Sequence, residues 1–246
     1  VTSIMSYQGS PMGKITLNKE TTDNVVQNAN GRSFRTENTL SMSKKHLYSR
    51  IYLPILLNYY MDKVQTSLHP TDESNDVNMQ NLRMALVPQY EYSHPQYKYV
   101  FRLEIPMRID YIIHKDNLES ASSGSWYYSV CPSVYCNYKV TSRSVLRTNI
   151  FYARTFGDIL DFLKTPVRFN DTSLKVGSGI LADNKSLNAS LHYDYKIPLK
   201  MWFFNADFLY NQEKNNLLMS QDASSTLITM SKIYAPNTGL SLIHIS

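Results

Sequence analysis

From Tyr97 to Ile113 every odd-numbered position is apolar or aromatic: Tyr97, Tyr99, Phe101, Leu103, Ile105, Met107, Ile109, Tyr111 and Ile113. The even positions carry Lys98, Arg102, Glu104, Arg108 and Asp110. Successive side chains of a strand point to opposite faces, so the run predicts one strand with an oily face and a charged face. At ~3.3 Å per residue it spans about 56 Å, well beyond the usual strand of about 3–10 residues. A long strand with charge on one side and aromatic-rich apolar surface on the other predicts a transmembrane β-barrel.

The alternation recurs along the chain. Residues 125–140 set Trp126, Tyr128, Val130, Val134, Cys136, Tyr138 and Val140 against Ser125, Ser129, Ser133, Asn137 and Lys139. Residues 78–92, 46–64, 186–196 and 199–213 repeat it; the last places Trp202, Phe204, Ala206, Phe208 and Tyr210 opposite Asn205, Asp207, Asn211 and Glu213. Fainter versions lie at 33–42 and 144–156, and a ninth strand is expected around 224–234. Short turns are expected at Ser43–Lys45, Ser93–Gln96, Thr141–Arg143 and Ile197–Pro198, with long polar links at 65–77, 114–124 and 157–185. Short turns on one side and long loops on the other are the arrangement of bacterial barrels.

Hairpin register follows from matching oily faces. Tyr92 is expected opposite Tyr97, which puts Leu86 against Leu103, Met84 against Ile105 and Glu91 against Lys98. The same logic sets Tyr138 opposite Leu146 and Tyr193 opposite Trp202. Pro54, Pro88, Pro106 and Pro132 fall within these strands, where a proline donates nothing to the ladder, and bulges are expected there.

Composition changes the picture in a few places. Charged residues are 18% of 246, below the usual ~25%. There are 19 Tyr, and barrels concentrate aromatics at both water–lipid interfaces. The net charge of +5 is spread without a Lys/Arg run, so nucleic-acid binding is not expected. No apolar run is long enough for a transmembrane helix. Val1 opens without a signal-peptide pattern, so the chain is expected to start downstream of its true beginning. Leu240–Ser246 reads LSLIHIS and resembles a translated transposase-type sequencing adapter; it is set aside from the expected fold.

Candidate chemistry is sparse. No nucleotide loop, zinc spacing or nucleophile elbow is present, and no cofactor, metal or catalytic residue is expected. Cys131 and Cys136, separated by an odd number of positions, fall on opposite faces of one strand and should not bond to each other. His114 near Asp110 and Asp116 suggests a catalytic pair at a barrel rim, but polar residues at a strand end are ordinary. The collective signal is the charged face: Arg50, Arg83, Arg102, Glu104, Arg108, Arg147, Asp194 and Asp207 are expected to line a lumen. Leu86, Tyr99, Phe101, Leu103, Ile105, Trp126, Tyr138, Trp202 and Phe204 are expected to face lipid. In the 157–185 link, Phe162, Phe169 and Asp171 are candidate ligand contacts, against the plainer reading of loop packing.

The stretches LYSRIYLPILLNYY (47–60), LVPQYEYSHPQYKYVFRLEIP (86–106), DNLESASSGSWYYSVCPSVYCNYKVTSR (116–143) and KSLNASLHYDYKIPLKMWFFNADFLYNQEKNNLL (185–218) resemble the barrel of TonB-dependent outer-membrane receptors, in the style of outer-membrane β-barrel proteins of Gram-negative gut bacteria. The resemblance covers roughly residues 30–235 and is one of strand style. It implies a large barrel of about 22 strands. It also implies an N-terminal plug, coupling to the TonB complex, outer-membrane lipid around the barrel, and energised import of a solute that the sequence does not name. The expected fold class is all-β: a transmembrane antiparallel meander, about 8–10 strands of a larger barrel and too short to close. Residues 1–31 are expected to be an upstream loop or partial strand, 32–235 the barrel segment, and 240–246 the adapter-derived tail. The expected function is non-enzymatic import at the bacterial outer membrane. The alternative is a plugless outer-membrane channel or a surface-adhesion barrel.

Overall fold

A computed structural model describes residues 2–10, 15–17, 25–69, 73–96, 98–118, 121–170, 173–223 and 228–245. Two strands, β1 (Thr2–Ser10) and β2 (Ile15–Leu17), pair along β3 (Val25–Lys45). β3 continues into a meander of β4 (Ser49–His69), β5 (Glu73–Leu86) with β6 (Gln89–Ser93), β7 (Tyr99–Glu104) with β8 (Met107–Asp116), β9 (Ala121–Val130) with β10 (Ser133–Thr141), and β11 (Ser144–Phe156). A 3-10 turn at Ile159–Phe162, β12 (Val167–Asn170) and β13 (Ser173–Val176) interrupt it before β14 (Asp183–Ile197), β15 (Trp202–Ala223) and β16 (Ile228–Ile245). All join one 16-stranded sheet, antiparallel except where β13 lies parallel to β16. Among the described residues there is no α-helix, and none of the ladders closes the sheet.

The expected strands are present and longer than their hydropathy pattern. β3 and β4 each run 21 residues and β15 runs 22. The links expected at 65–77 and 114–124 are therefore mostly ladder: β4 extends to His69 and β8 to Asp116. Thr66 opposite Asn75 shows why, since the Asn75 amide donates to Thr66 Oγ1 at 2.8 Å and a polar pair sits comfortably in a ladder. The sheet also starts before residue 32 and continues past 235. β3 begins at Val25, and β16 carries Leu240–Ile245 alongside β15. The first turn falls at 46–48 rather than Ser43–Lys45, closed by reciprocal His46 and Ser49 backbone bonds. At the β14–β15 turn, Met201 takes the left-handed conformation, φ 53°, after the 3-10 turn Pro198–Lys200.

Two hairpin registers differ from expectation by four residues. Glu91 lies opposite Arg102, Leu86 opposite Met107 and Met84 opposite Ile109. Likewise Tyr193 lies opposite Ala206, and Trp202 opposite Ile197. The turns are wider than a tight hairpin: His94 N–H closes onto Tyr99 O at 2.9 Å, and the Tyr92 and Tyr99 rings stack at 5.6 Å. An even shift keeps every side chain on its face, so face matching does not detect it. Tyr138 does lie opposite Leu146.

The prolines make a seam rather than bulges. Pro54, Pro88, Pro106 and Pro132 accept from Val87, Ile105, Cys131 and Tyr152 N–H at 2.9–3.0 Å, each on the next strand of the meander. Each partner but the last immediately precedes the next proline, so the seam climbs one residue per strand. Register is the same on both sides: Leu86 opposite Met107 and Gln89 opposite Glu104 belong to one unshifted ladder. Each proline omits one bond of a reciprocal pair, so at Pro88, Pro106 and Pro132 the strand stops and resumes in phase, while Pro54 stays within β4, paired to β3 on its other side.

The buried core lies on one face. Val64, Val77, Met79 and Ile112 of β4, β5 and β8 pack with Ile159, Phe162, Leu163, Val167 and Leu181 of the 157–182 segment. Phe162 stacks on His114 of β8 with ring centroids 4.1 Å apart, while the adjacent Asp161 pairs with Lys232 of β16. Adjacent residues thus touch strands far apart in the hydrogen-bonding order, so the sheet is rolled around this segment. The face it covers is the inner face.

Candidate functional site: the charged inner face

Register and parity place all eight charged residues expected in a lumen on the inner face. Arg83 and Asp110 are opposite partners on β5 and β8, with Nε 2.6 Å from Oδ1. Arg108 Nε reaches the other oxygen at 2.8 Å, and the Asp110 side chain is fully buried. Arg83 also lies over the Tyr60 ring at 5.5 Å. Arg108 donates through Nη2 to Arg154 O at 2.6 Å, and both guanidiniums flank Phe156, at 5.6 and 5.0 Å. Arg154, which parity along β11 puts on the face opposite Arg147, makes a bidentate pair with Asp183, 2.8 Å on each arm. Such forked charge-assisted bonds fix geometry as well as adding energy.

Toward the short-turn end, Arg50, Arg102 and Glu104 line a cavity of about 350 Å³ with Tyr52, Gln89 and Glu91. Glu91 binds Arg102 at 2.8 and 3.0 Å, and Arg50 sits over the Tyr52 ring at 5.3 Å. A third group gathers around His192. Arg147 meets Asp194 at 3.0 Å, His192 Nε2 lies 3.1 Å from Asp194, and His192 Nδ1 bonds Asp207. The inner face thus carries a wall of paired charges, able to hold polar groups and water. His114 makes no catalytic pair with Asp110: its ring is covered by Phe162, and Asp110 is held between two guanidiniums.

The outer face is the reverse. Leu86, Tyr99, Phe101, Leu103, Ile105, Trp126, Tyr138, Trp202 and Phe204 all fall on it by parity. Trp126, Phe204 and Trp202 are 52%, 56% and 69% exposed, with Ile51, Leu57, Met84 and Met107 also open. Contiguous exposed apolar surface of this kind marks an interaction with something other than water. Cys131 and Cys136 are free thiols on opposite faces.

The candidate ligand residues fare differently. Phe162 is 5% exposed and packs in the core, which corrects its reading as a ligand contact; its ring instead anchors the segment to β8. Asp171 and the Phe169 side chain lie outside the described residues. Sequence reasoning missed Arg154 and Asp183, which sit in stretches with weak alternation. It also missed the pairing of Asp110, because the expected register put Arg83 opposite Pro106.

Neither a family model nor a curated protein sequence matches the chain. The rolled sheet with one charged and one apolar face is similar in fold to the barrel of a solved outer-membrane receptor. The hemophore receptor HasR of Serratia marcescens, solved as a double mutant in complex with its hemophore HasA and heme, matches at TM-score 0.51 and 10% identity, over 90% of this chain and 39% of its own. The siderophore receptor PirA of Pseudomonas aeruginosa matches at TM-score 0.43 and 11% identity, over 99% of this chain and 62% of its own. The chain therefore spans about two-fifths of the length of HasR.

Proposed function

We propose that this chain is part of the barrel of a bacterial outer-membrane receptor that imports a solute by coupling to TonB. The observation that carries the proposal is the division of one receptor-type sheet into two faces: paired charges inside, bare aliphatic and aromatic surface outside. Lipid is the solvent that suits the outer face, because alternation puts apolar side chains out and polar ones in. Strands of about 70 Å exceed the apolar band of about 25 Å, so their polar ends stand outside the membrane. The inner wall suits a polar solute and the polar surface of a plug domain.

The test uses the full-length gene product in a Gram-negative host. It should fractionate with the outer membrane, and growth on a panel of limiting nutrients should depend on it only when the TonB complex is intact. Growth support that persists in a TonB-deficient host would instead assign a passive channel. Recovery in the soluble fraction would end the proposal.

A further inference from the structure

The 157–185 link, expected as a candidate ligand loop, is fastened at two places by the same device. At one the Asn75 side-chain amide pairs with the Thr165 backbone: Thr165 N–H donates to Asn75 Oδ1 at 3.1 Å, and Asn75 Nδ2 donates to Thr165 O at 3.3 Å. At the other, Asn216 does the same across two residues. Asp183 N–H donates to its Oδ1 at 2.7 Å, and its Nδ2 donates to Leu181 O at 2.9 Å. Asp161 adds a third tie: its carboxylate is fully buried, accepts from Ala182 N–H at 2.9 Å and pairs with Lys232 of β16. Gly177 N–H donates to Leu163 O at 2.7 Å and Gly179 N–H to Asp161 O at 2.9 Å, folding the two arms together. Phe162 fills the space against His114.

We infer that residues 157–167, with 177–182, form a fixed constriction inside the barrel that stays docked whether or not solute is present and limits the size of what passes. Three features support a fixed rather than a mobile element. A buried carboxylate that loses its cation is strongly disfavoured, so Asp161 leaves its place only at high cost. Two side-chain amides stand in for missing ladder partners and satisfy backbone groups that a loose loop would give to water. The apolar residues Ile159, Phe162, Leu163 and Leu181 are spent on the wall and not held in reserve for a ligand. The segment touches both β8 and β16, so it ties together parts of the sheet that are far apart in strand order.

This inference rests on the receptor-barrel reading, and the experiment separates the two. The full-length gene product that carries this chain is inserted into lipid vesicles, and amide exchange is followed by mass spectrometry beside release of entrapped sugars of graded size. In the unmodified chain, peptides over 157–167 should be as protected as those of β4 and β5. Asp161→Asn should expose them by about tenfold while leaving the β4–β5 ladder protected. Gly177→Ala is the second variant, since a Cβ there would meet Asp161 O at 2.5 Å and Leu160 O at 2.6 Å. Either variant should raise the size limit for sugar release. Rapid exchange of the segment in the unmodified chain, or an unchanged size limit once the segment is released, overturns the constriction. A full-length product that fails to insert into the vesicles overturns the barrel reading itself, and the constriction with it.

Discussion

Arg83 and Asp110 face each other across β5 and β8, with guanidinium Nε 2.6 Å from a carboxylate oxygen that has no contact with solvent. Arg108, two residues before Asp110 on the same face, takes the other oxygen at 2.8 Å. One carboxylate is therefore shared by two cations, and the group as a whole is positive. It sits at mid-wall, between the docked 157–182 segment and the cavity lined by Arg50 and Arg102.

Removing that carboxylate should be severe. Asp110→Ala leaves two half-buried guanidiniums without their carboxylate, and breaking a buried pair costs up to about 3–5 kcal/mol. Arg83→Met should cost less, because Arg108 still covers Asp110. Urea unfolding followed by the fluorescence of Trp126 and Trp202 measures both. A loss for Asp110→Ala of under ~1 kcal/mol, the scale of an exposed ion pair, would mean the cluster is open to water.

The outer face should reject charge. Leu103→Arg is expected to destabilise the protein in lipid vesicles by ~2–4 kcal/mol if it lies near the bilayer midplane. The comparison is with Arg102→Leu, which loses only a half-exposed pair with Glu91 and should change stability by under ~1 kcal/mol. Equal effects of the two substitutions would remove the distinction between the faces.

The two thiols report the same division independently. Cys131 is on the inner face beside Pro106, and Cys136 is on the outer face beside Phe101. In vesicles, a charged water-borne thiol reagent should reach Cys131 faster than Cys136, and an apolar maleimide should reverse the order. Identical rates for both reagents would contradict the faces. An intact-mass measurement should find both thiols free before labelling.

The proline seam predicts a local effect with little global consequence. Pro88→Ala supplies the N–H that is missing opposite Ile105, so exchange at residues 88–89 and at Ile105 should slow. The restored hydrogen bond gains about 0.5–1.5 kcal/mol, while the freer unfolded chain gives back about 0.4–1, so overall stability should barely move. Unchanged exchange at these sites would mean that the gap between β5 and β6 has another cause.

Much of this fold is legible in the chain itself. Alternation at Tyr99–Ile113 fixes which residues share a face, because a pleated strand has a period of two whatever it pairs with. For that reason all of Arg50, Arg83, Arg102, Glu104, Arg108, Arg147, Asp194 and Asp207 sit together on one side, and the all-β class follows from their neighbours. The same period hides the register: sliding β6 along β7 by four residues returns oily residues to oily partners. Only the width of the turn at 94–98 decides that Glu91 meets Arg102 instead of Lys98, and Arg83 meets Asp110 instead of Pro106. Strand ends are likewise invisible, because polar pairs such as Thr66 and Asn75 read as loop and bond as ladder. The 157–182 segment is the extreme case. Its polar composition reads as a surface loop, but its place on the inner face depends on Asn75, Asn216 and Lys232, which are remote in sequence and reach it only when the sheet has rolled.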